Sequence, residues 1–219
     1  MCVFDTMEIC EIFYSIQGEG VWTGYPTVFV RLSGCNLRCR YCDTTYAYGP
    51  GEVMSIDDVM RRVDGFGVRY VCVTGGEPLL QEDTVLLIDR LLKRGYNVSL
   101  ETNGSIDIKS LIERFKDFST FTVSCDIKCP SSGMHDKMRL ENVGYLRKVD
   151  QLKFVVKDKE DYRYAKKIVE KGKPSCVVLF QPVWGEDPKQ LAAWLLKDKL
   201  DARLSLQIHK VLWGEKRGV

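Results

Sequence analysis

The chain alternates between two kinds of segment, and that alternation constrains its fold more than anything else in it. Runs at 27–32, 70–74, 97–101, 121–124, 151–156, 176–180 and 203–208 are short and rich in apolar and β-branched residues, and they read as strands. Segments of helical length lie between them. Ser55 with Asp58 three residues on caps a short helix to about 63. The segment 82–94 stops at Gly95, and 108–115 and 159–171 come next. Pro188 takes a first helical position in 187–197, and 135–147 is partly helical. Strands separated by helices pair in parallel, with the helices packed outside the sheet. At 219 residues the chain falls short of the ~250 typical of a closed eight-unit barrel. An open, partial βα barrel of about six parallel strands, with reduced outer helices, is the α/β architecture expected. No Pro/Ser-rich linker, low-complexity block or charge run interrupts it, so 1–219 reads as one domain.

Composition narrows the function classes. Lys+Arg 32 against Asp+Glu 30 gives +2, which removes the main electrostatic reason to expect a nucleic-acid or anionic-membrane binder. No apolar stretch approaches the ~20 residues of a membrane span. Residues 1–5 show no basic segment leading into an apolar run, so a cytoplasmic, reducing location is expected. Cysteine is the unusual component. Nine is odd and high, and a disulfide scaffold would strand one of them. Some of these thiols are therefore expected to bind metal and the rest to fill the core.

In parallel βα folds, functional residues occupy the loops just after strand C-termini. After 27–32 comes Gly34-Cys35-Asn36-Leu37-Arg38-Cys39-Arg40-Tyr41-Cys42-Asp43-Thr44, with its thiols spaced C-x3-C-x2-C. A structural zinc ion wants four ligands, and another cysteine or His135 would have to supply the fourth. An iron–sulfur cube held by three cysteines instead leaves one iron open to an exogenous ligand, which can then take an electron directly from the cluster.

Further motifs sit at the other strand ends. Gly75-Gly76-Glu77-Pro78 comes after 70–74, and its glycine backbone with Glu77 suits an ammonium group. Tyr14-Ser15-Ile16-Gln17-Gly18-Glu19-Gly20 precedes the cysteine loop. Glu101-Thr102-Asn103-Gly104, Asp126-Ile127-Lys128-Cys129-Pro130, Gln151-Leu152-Lys153-Phe154-Val155, Gln181-Pro182 and Gln207-Ile208-His209-Lys210 come later, in that order. The cysteine loop, with Tyr41 just before its last thiol, resembles the radical S-adenosylmethionine (SAM) superfamily. The whole set, from about Glu11 to about Lys210, resembles the 7-carboxy-7-deazaguanine synthases within it.

That resemblance implies a single radical SAM core domain, with the cluster loop at 35–42 and a C-terminal strand and tail at 203–219. It implies that Cys35, Cys39 and Cys42 hold a [4Fe–4S] cluster to which SAM binds. It also implies that a radical derived from SAM starts ring contraction of 6-carboxy-5,6,7,8-tetrahydropterin to 7-carboxy-7-deazaguanine, with loss of ammonia. Substrate contacts carry over to Ile16, Gln17, Gly18, Glu19, Arg31, Thr102 and His209. Cofactor contacts carry over to Tyr41, Cys42, Asp43, Gly76, Glu77, Gly104, Asp126, Ile127, Lys128, Gln181 and Pro182. Thr44 matches the family's Mg²⁺ position. The chemistry is consistent: a carboxylate such as Glu19 accepts the paired N–H donors of an amino-pyrimidine edge, and Arg31 suits a substrate carboxylate. The family also implies a pterin-sized substrate, an external one-electron reductant of flavodoxin or ferredoxin type, a homodimer, and a product bound for queuosine, archaeosine or another deazapurine.

Some readings stay open at this level. Arg31 is an ordinary surface ion pair in the bland alternative, Lys128 a solvated lysine, and Thr44 a turn residue. The terminal carboxylate serves the substrate in some relatives. Here 211–219 runs on past the His-Lys pair, so that role is not assigned to Val219, and Trp213 is expected to pack on a neighbour. Cys2, Cys10, Cys72, Cys125, Cys129 and Cys176 read as small apolar residues, with a second metal site at Cys125 and Cys129 as the minor alternative. A glycyl-radical-enzyme activase would share the cysteine loop and GGEP, but has no need of the Gln17–Gly20 or Gln207–Lys210 motifs.

Overall fold

The buried strands each carry two different faces. In Val28, Val30 and Leu32, then Val71 and Val73, Val98 and Leu100, Leu152 and Phe154, every second residue is apolar and fully buried. The other face carries most of the polar and charged residues, Arg31, Thr74, Ser99, Glu101, Ser124, Asp126, Lys153 and Gln181, with Phe29, Cys72 and Val155 among them. Side chains alternate across a strand, so one face of the sheet packs under helices and the other surrounds a polar interior.

The structure, a computed structural model, describes residues 5–219, and Cys2 lies outside them. Its elements are β1 (Thr6–Ile16), β2 (Pro26–Leu32), β3 (Glu52–Ser55), α1 (Ile56–Gly65), β4 (Tyr70–Gly75), α2 (Thr84–Lys93) and β5 (Asn97–Thr102). After them come α3 (Lys109–Arg114), β6 (Phe121–Asp126), β7 (Gln151–Val156), α4 (Lys159–Gly172), β8 (Val177–Pro182), α5 (Pro188–Asp198), β9 (Arg203–Leu204) and α6 (Ile208–Trp213). They form one nine-stranded sheet in the order β3-β1-β2-β4-β5-β6-β7-β8-β9. From β2 to β9 every neighbour is parallel. The sheet is a partial, open barrel, because β3 and β9 remain at its two edges.

Three strands depart from the expectation. β1 and β3 were not anticipated, and they add an antiparallel pair to the β2 edge. The last strand is two residues long rather than six, and the chain beyond it turns into the helix α6. The helices begin where capping predicts. Ser55 Oγ accepts from Asp58 N at 3.1 Å, and Asp187 accepts from Lys189 N at 2.9 Å ahead of Pro188. The 135–147 stretch resolves into short 3-10 turns.

A buried ion pair sets the entry to β7. Asp150 is fully buried and accepts from Arg147 N at 2.7 Å, Arg147 Nε at 2.9 Å and Val123 N at 2.8 Å. Arg147 in turn donates to the carbonyls of Phe115 and Phe121, both at 2.9 Å. This ties the start of β7 to β6 and so aims Lys153 inward. Among the described residues no helix is long and apolar enough to cross a membrane.

Candidate active site

The strand C-termini and the polar face enclose a cavity of about 460 Å³, a size suited to a small-molecule ligand. Cys35, Cys39 and Cys42 line it, each half-buried. Cys35 Sγ accepts from Leu37 N at 3.5 Å and from Asn103 Nδ2 at 3.9 Å. Burial pushes the free thiols of Cys35 and Cys39 up, while Lys128 pulls Cys39 down. Among the described residues no three His, Cys, Asp or Glu side chains surround one point closely enough to hold a single ion. Thiolates that each bind a different iron of a cluster need not converge in that way. His135 is no fourth ligand. It is exposed, and its ring meets Tyr164 edge-on at 5.7 Å.

The GGEP segment brings the β2 and β4 loops together. A Cβ on Gly76 would lie 2.1 Å from the carbonyl oxygen of Gly34, so only glycine fits. Gly76 lines the cavity and Glu77 does not. Glu77 is fully buried and accepts from Asn103 N at 2.6 Å, Thr102 Oγ1 at 2.9 Å and Leu79 N at 3.0 Å. Burial holds its carboxyl above the usual range. These three donors occupy three of the carboxylate's acceptor sites, and Glu77 braces β4 against β5 from outside the cavity lining.

The remaining expected residues divide clearly. Ile16, Gln17, Gly18, Glu19, Arg31, Thr102 and His209 line the cavity, as do Tyr41, Asp43, Thr44, Asp126, Lys128 and Gln181. Gly104, Ile127 and Pro182 do not. Ile127 is instead a core residue whose N–H donates to the Lys153 carbonyl at 3.0 Å. Gly104, at φ +75°, turns the chain against it. Val219 and Glu215 of the tail do line the cavity, contrary to expectation. Trp213 is 37% exposed and lies off the cavity lining, which Trp184 joins instead.

The bland alternatives for Arg31 and Lys128 fail on burial. Arg31 Nε donates to Glu11 Oε1 at 2.8 Å, with side-chain exposures of 15% and 14%. Lys128 Nζ lies 2.8 Å from Asp126 Oδ2. The other oxygen, Asp126 Oδ1, is buried without any partner, an unmet acceptor in the cavity wall. A bound molecule carrying donors would satisfy it. With the three thiols it makes the donor set chemically fit for a cluster and a cofactor beside it.

Glu19 lines the same cavity. Its loop is closed by Gln17 N to Tyr25 O at 2.9 Å and Gly24 N to Gln17 O at 2.8 Å. The His209 ring sits against Gly18, where a Cβ would fall 1.9 Å from Nδ1. Burial disfavours the Glu19 carboxylate, but the Lys153 ammonium 2.7 Å away outweighs it and holds the carboxyl well below the usual range. Burial also lowers His209, which favours the neutral ring. At the rim, Lys210 Nζ lies 2.5 Å from Asp43 Oδ2, and Thr44 Oγ1 donates to Asp43 Oδ1 at 3.0 Å.

The cavity also holds Lys153, Glu101, Asn103, Gln207 and Lys210, which had no site role in the sequence reading. Lys153 carried a usable signal: a charge inside a strand that is otherwise mostly apolar. Cys125 and Cys129 are fully buried in the apolar core, where they pack as small apolar residues. Cys72 and Cys176 are buried too, and Cys10 is half-buried at the tail, where Arg217 Nη2 lies 3.6 Å from its sulfur.

Comparison with known proteins extends this picture. The family model for the radical SAM superfamily matches residues 29–179. A 7-carboxy-7-deazaguanine synthase of Chlorobaculum tepidum is 43% identical over 222 residues, covering 97% of both chains. The enzymes of that name from Methanospirillum hungatei and Thermoplasma acidophilum are 41% and 37% identical, covering 94% and 97% of this chain and 85% and 100% of theirs. The crystal structure of QueE from Escherichia coli superposes with a TM-score of 0.74 at 24% identity, over 92% of this chain and 94% of that one, a likeness of fold.

Proposed function

The chain belongs to the 7-carboxy-7-deazaguanine synthases of the radical SAM superfamily, and from that membership we propose how its cavity divides the work. It is a radical SAM lyase of 7-deazapurine biosynthesis that uses a [4Fe–4S] cluster and SAM. It contracts 6-carboxy-5,6,7,8-tetrahydropterin to 7-carboxy-7-deazaguanine with release of ammonia. The activase alternative is not favoured. The observation that carries the assignment of residues is one cavity lined by three thiols, by Arg31 and by a Glu19 held ionised against Lys153.

Cys35, Cys39 and Cys42 would hold the cluster, which when bound supplies the electron that starts radical chemistry from SAM. Asp126 and Lys128, with Gly76, Tyr41, Asp43 and Gln181 around them, form the cofactor side. Asp126 Oδ1 offers its open acceptor to a donor on that molecule. On the substrate side, Glu19 accepts the paired N–H donors of the pyrimidine edge, and Arg31 faces the 6-carboxylate. Glu11 holds the Arg31 guanidinium through Nε, and Arg31 lines the cavity. Gln17 and Thr102 fill the wall between the two sides, and His209, neutral and packed on Gly18, closes it. Thr44, with Asp43 beside it, is the hard-oxygen position for Mg²⁺. An external one-electron donor and a homodimer complete the working enzyme.

The test is anaerobic reconstitution with iron and sulfide, then incubation with SAM, reductant, Mg²⁺ and the pterin. Formation of 7-carboxy-7-deazaguanine, dependent on every component and lost in Cys39→Ala, is the expected result. SAM cleavage with the pterin left untouched would overturn the substrate assignment.

A further inference from the structure

Glu19 is not free to turn. Lys153 projects from the middle of β7, and its ammonium lies 2.7 Å from Glu19 Oε2. Gln207, at the start of α6, donates from Nε2 to Glu19 Oε1 at 2.7 Å. A carboxylate has two oxygens and about four acceptor sites. Lys153 takes a site on one oxygen and Gln207 takes a site on the other. One acceptor remains on each oxygen, side by side, on a residue that lines the cavity. That pair matches two adjacent N–H donors and rejects a ligand edge that presents an acceptor there.

The two clamps are not equivalent. Gln207 contributes direction only, whereas Lys153 contributes direction and charge. Glu19 faces Lys153 on β7, His209 and Gln207 on α6, and Asp43 on the cluster loop. Lys153 itself is shared with Asp126, 3.5 Å away on β6, and with Glu101 on β5. Without the ammonium, Glu19 would stand among carboxylates with only a neutral histidine and an amide to support it. It would then hold a proton, and one of its two acceptors would become a donor.

We propose that Lys153 is a positioning residue which, with Gln207, keeps Glu19 ionised and turned so that it offers one acceptor on each oxygen to a paired N–H edge of the substrate. This rests on the proposed function, in which Glu19 meets the pterin, and it adds how that carboxylate is selected and what it discriminates. Lys153 thereby sets specificity for the 2-amino edge without touching the reacting atoms.

The test is binding, not turnover. Reconstituted enzyme with SAM and no reductant is titrated calorimetrically with 6-carboxy-tetrahydropterin and with its 2-deamino analogue. Loss of one partner from a buried, hydrogen-bonded charge pair predicts pterin binding weaker by about thirtyfold or more in Lys153→Met. The preference for pterin over the 2-deamino analogue should collapse in the same variant, and its remaining affinity should rise with pH. Lys153→Arg should recover part of the affinity. Gln207→Leu, which leaves the charge pair intact and is the safer variant to fold, should weaken pterin binding about tenfold. Glu19→Gln should weaken binding as Lys153→Met does, and the double variant should be no worse than Glu19→Gln alone. Additive losses in the double variant, or a discrimination ratio unchanged in Lys153→Met and Gln207→Leu, would sink the positioning role while leaving Glu19 as a substrate contact. Unchanged binding in Glu19→Gln would overturn both.

Discussion

A buried charge persists only where another charge or several hydrogen bonds hold it, and this cavity holds many. Lys128 and Lys153 answer Asp126 and Glu19, and Arg31 answers Glu11. Three thiols have no such answer, and burial disfavours two of them, Cys35 and Cys39, as thiolates. Cys39→Ala should therefore lose bound iron and brown absorbance while leaving the far-ultraviolet circular dichroism unchanged, as iron analysis after reconstitution would check. Arg31→Lys keeps the charge but loses the planar fork. Pterin binding should weaken about tenfold, and the loss should vanish for a substrate lacking the 6-carboxylate. Single residues were unevenly legible. The cysteine spacing announced a metal centre because three thiols in eight positions have few other uses. Glu77 shows what a motif leaves out, since it names a residue without saying which way its side chain points: this one turns to Leu79, Thr102 and Asn103. Lys153 was overlooked although a lysine inside an apolar strand demands a buried partner. That partner, Glu19, lies 134 positions away, and only the folded sheet brings them together.

At the scale of elements, the sequence was clearest where the two faces of a strand differ cleanly. The parallel strands β2 and β4 to β8 fall within a residue or two of their apolar runs. β1 escaped because its register shifts between Ile9 and Glu11. Met7 and Ile9 are buried on one face before the shift, whereas Phe13 and Ser15 line the cavity after it, so no single period of two runs through the strand. β9 was overread for the opposite reason. Leu204 and Leu206 alternate neatly, yet both are exposed at the sheet edge, 39% and 41%, and pairing stops after Leu204. The β6–β7 connection makes the sharpest element prediction. Asp150→Ala strands the Arg147 guanidinium and frees the Val123 N–H, at a cost of about 3–5 kcal/mol. Thermal unfolding of the variant should show it, with pterin affinity falling as well because β7 carries Lys153. Asp158→Ala removes only the N-cap of α4, whose carboxylate accepts from Glu160 N and Asp161 N at 2.9 and 3.0 Å. It should cost about 1 kcal/mol and leave binding alone.

For the molecule as a whole, the strand–helix alternation was enough to specify a parallel sheet with outer helices, since chain connectivity permits little else. It did not announce that the inner face would be charged, and that face governs how the whole fold responds to acid. Glu19 and Glu11 both have carboxyls below their ordinary value of 4.5. Burial opposes this in each, but Lys153 holds Glu19, and hydrogen bonds from Arg31 and Arg217 hold Glu11. In the unfolded chain these groups take up protons as pH falls past about 4.5, while in the fold they resist. The unfolded state then binds more protons, so the stability these two contribute is complete above that value and is lost progressively as pH drops through their folded values. Glu77 runs the other way, because burial raises it, so its contribution is greatest in acid and declines as pH rises. Asp43, Asp58 and Asp198 are lowered as well, so five lowered carboxylates against one raised one leave a net loss on acidification. Urea unfolding of the metal-free chain from about pH 7 to pH 3 should show the midpoint falling, with most of the fall below about pH 4.5. In Glu19→Gln the curve should start lower, since buried Lys153 loses its partner, and should be flatter, since one of the titrating groups is gone. The two curves should converge at the acid end. Parallel curves, displaced by a constant amount across the range, would mean that the fold does not hold Glu19 below its ordinary value and that this carboxylate contributes nothing to the acid limit.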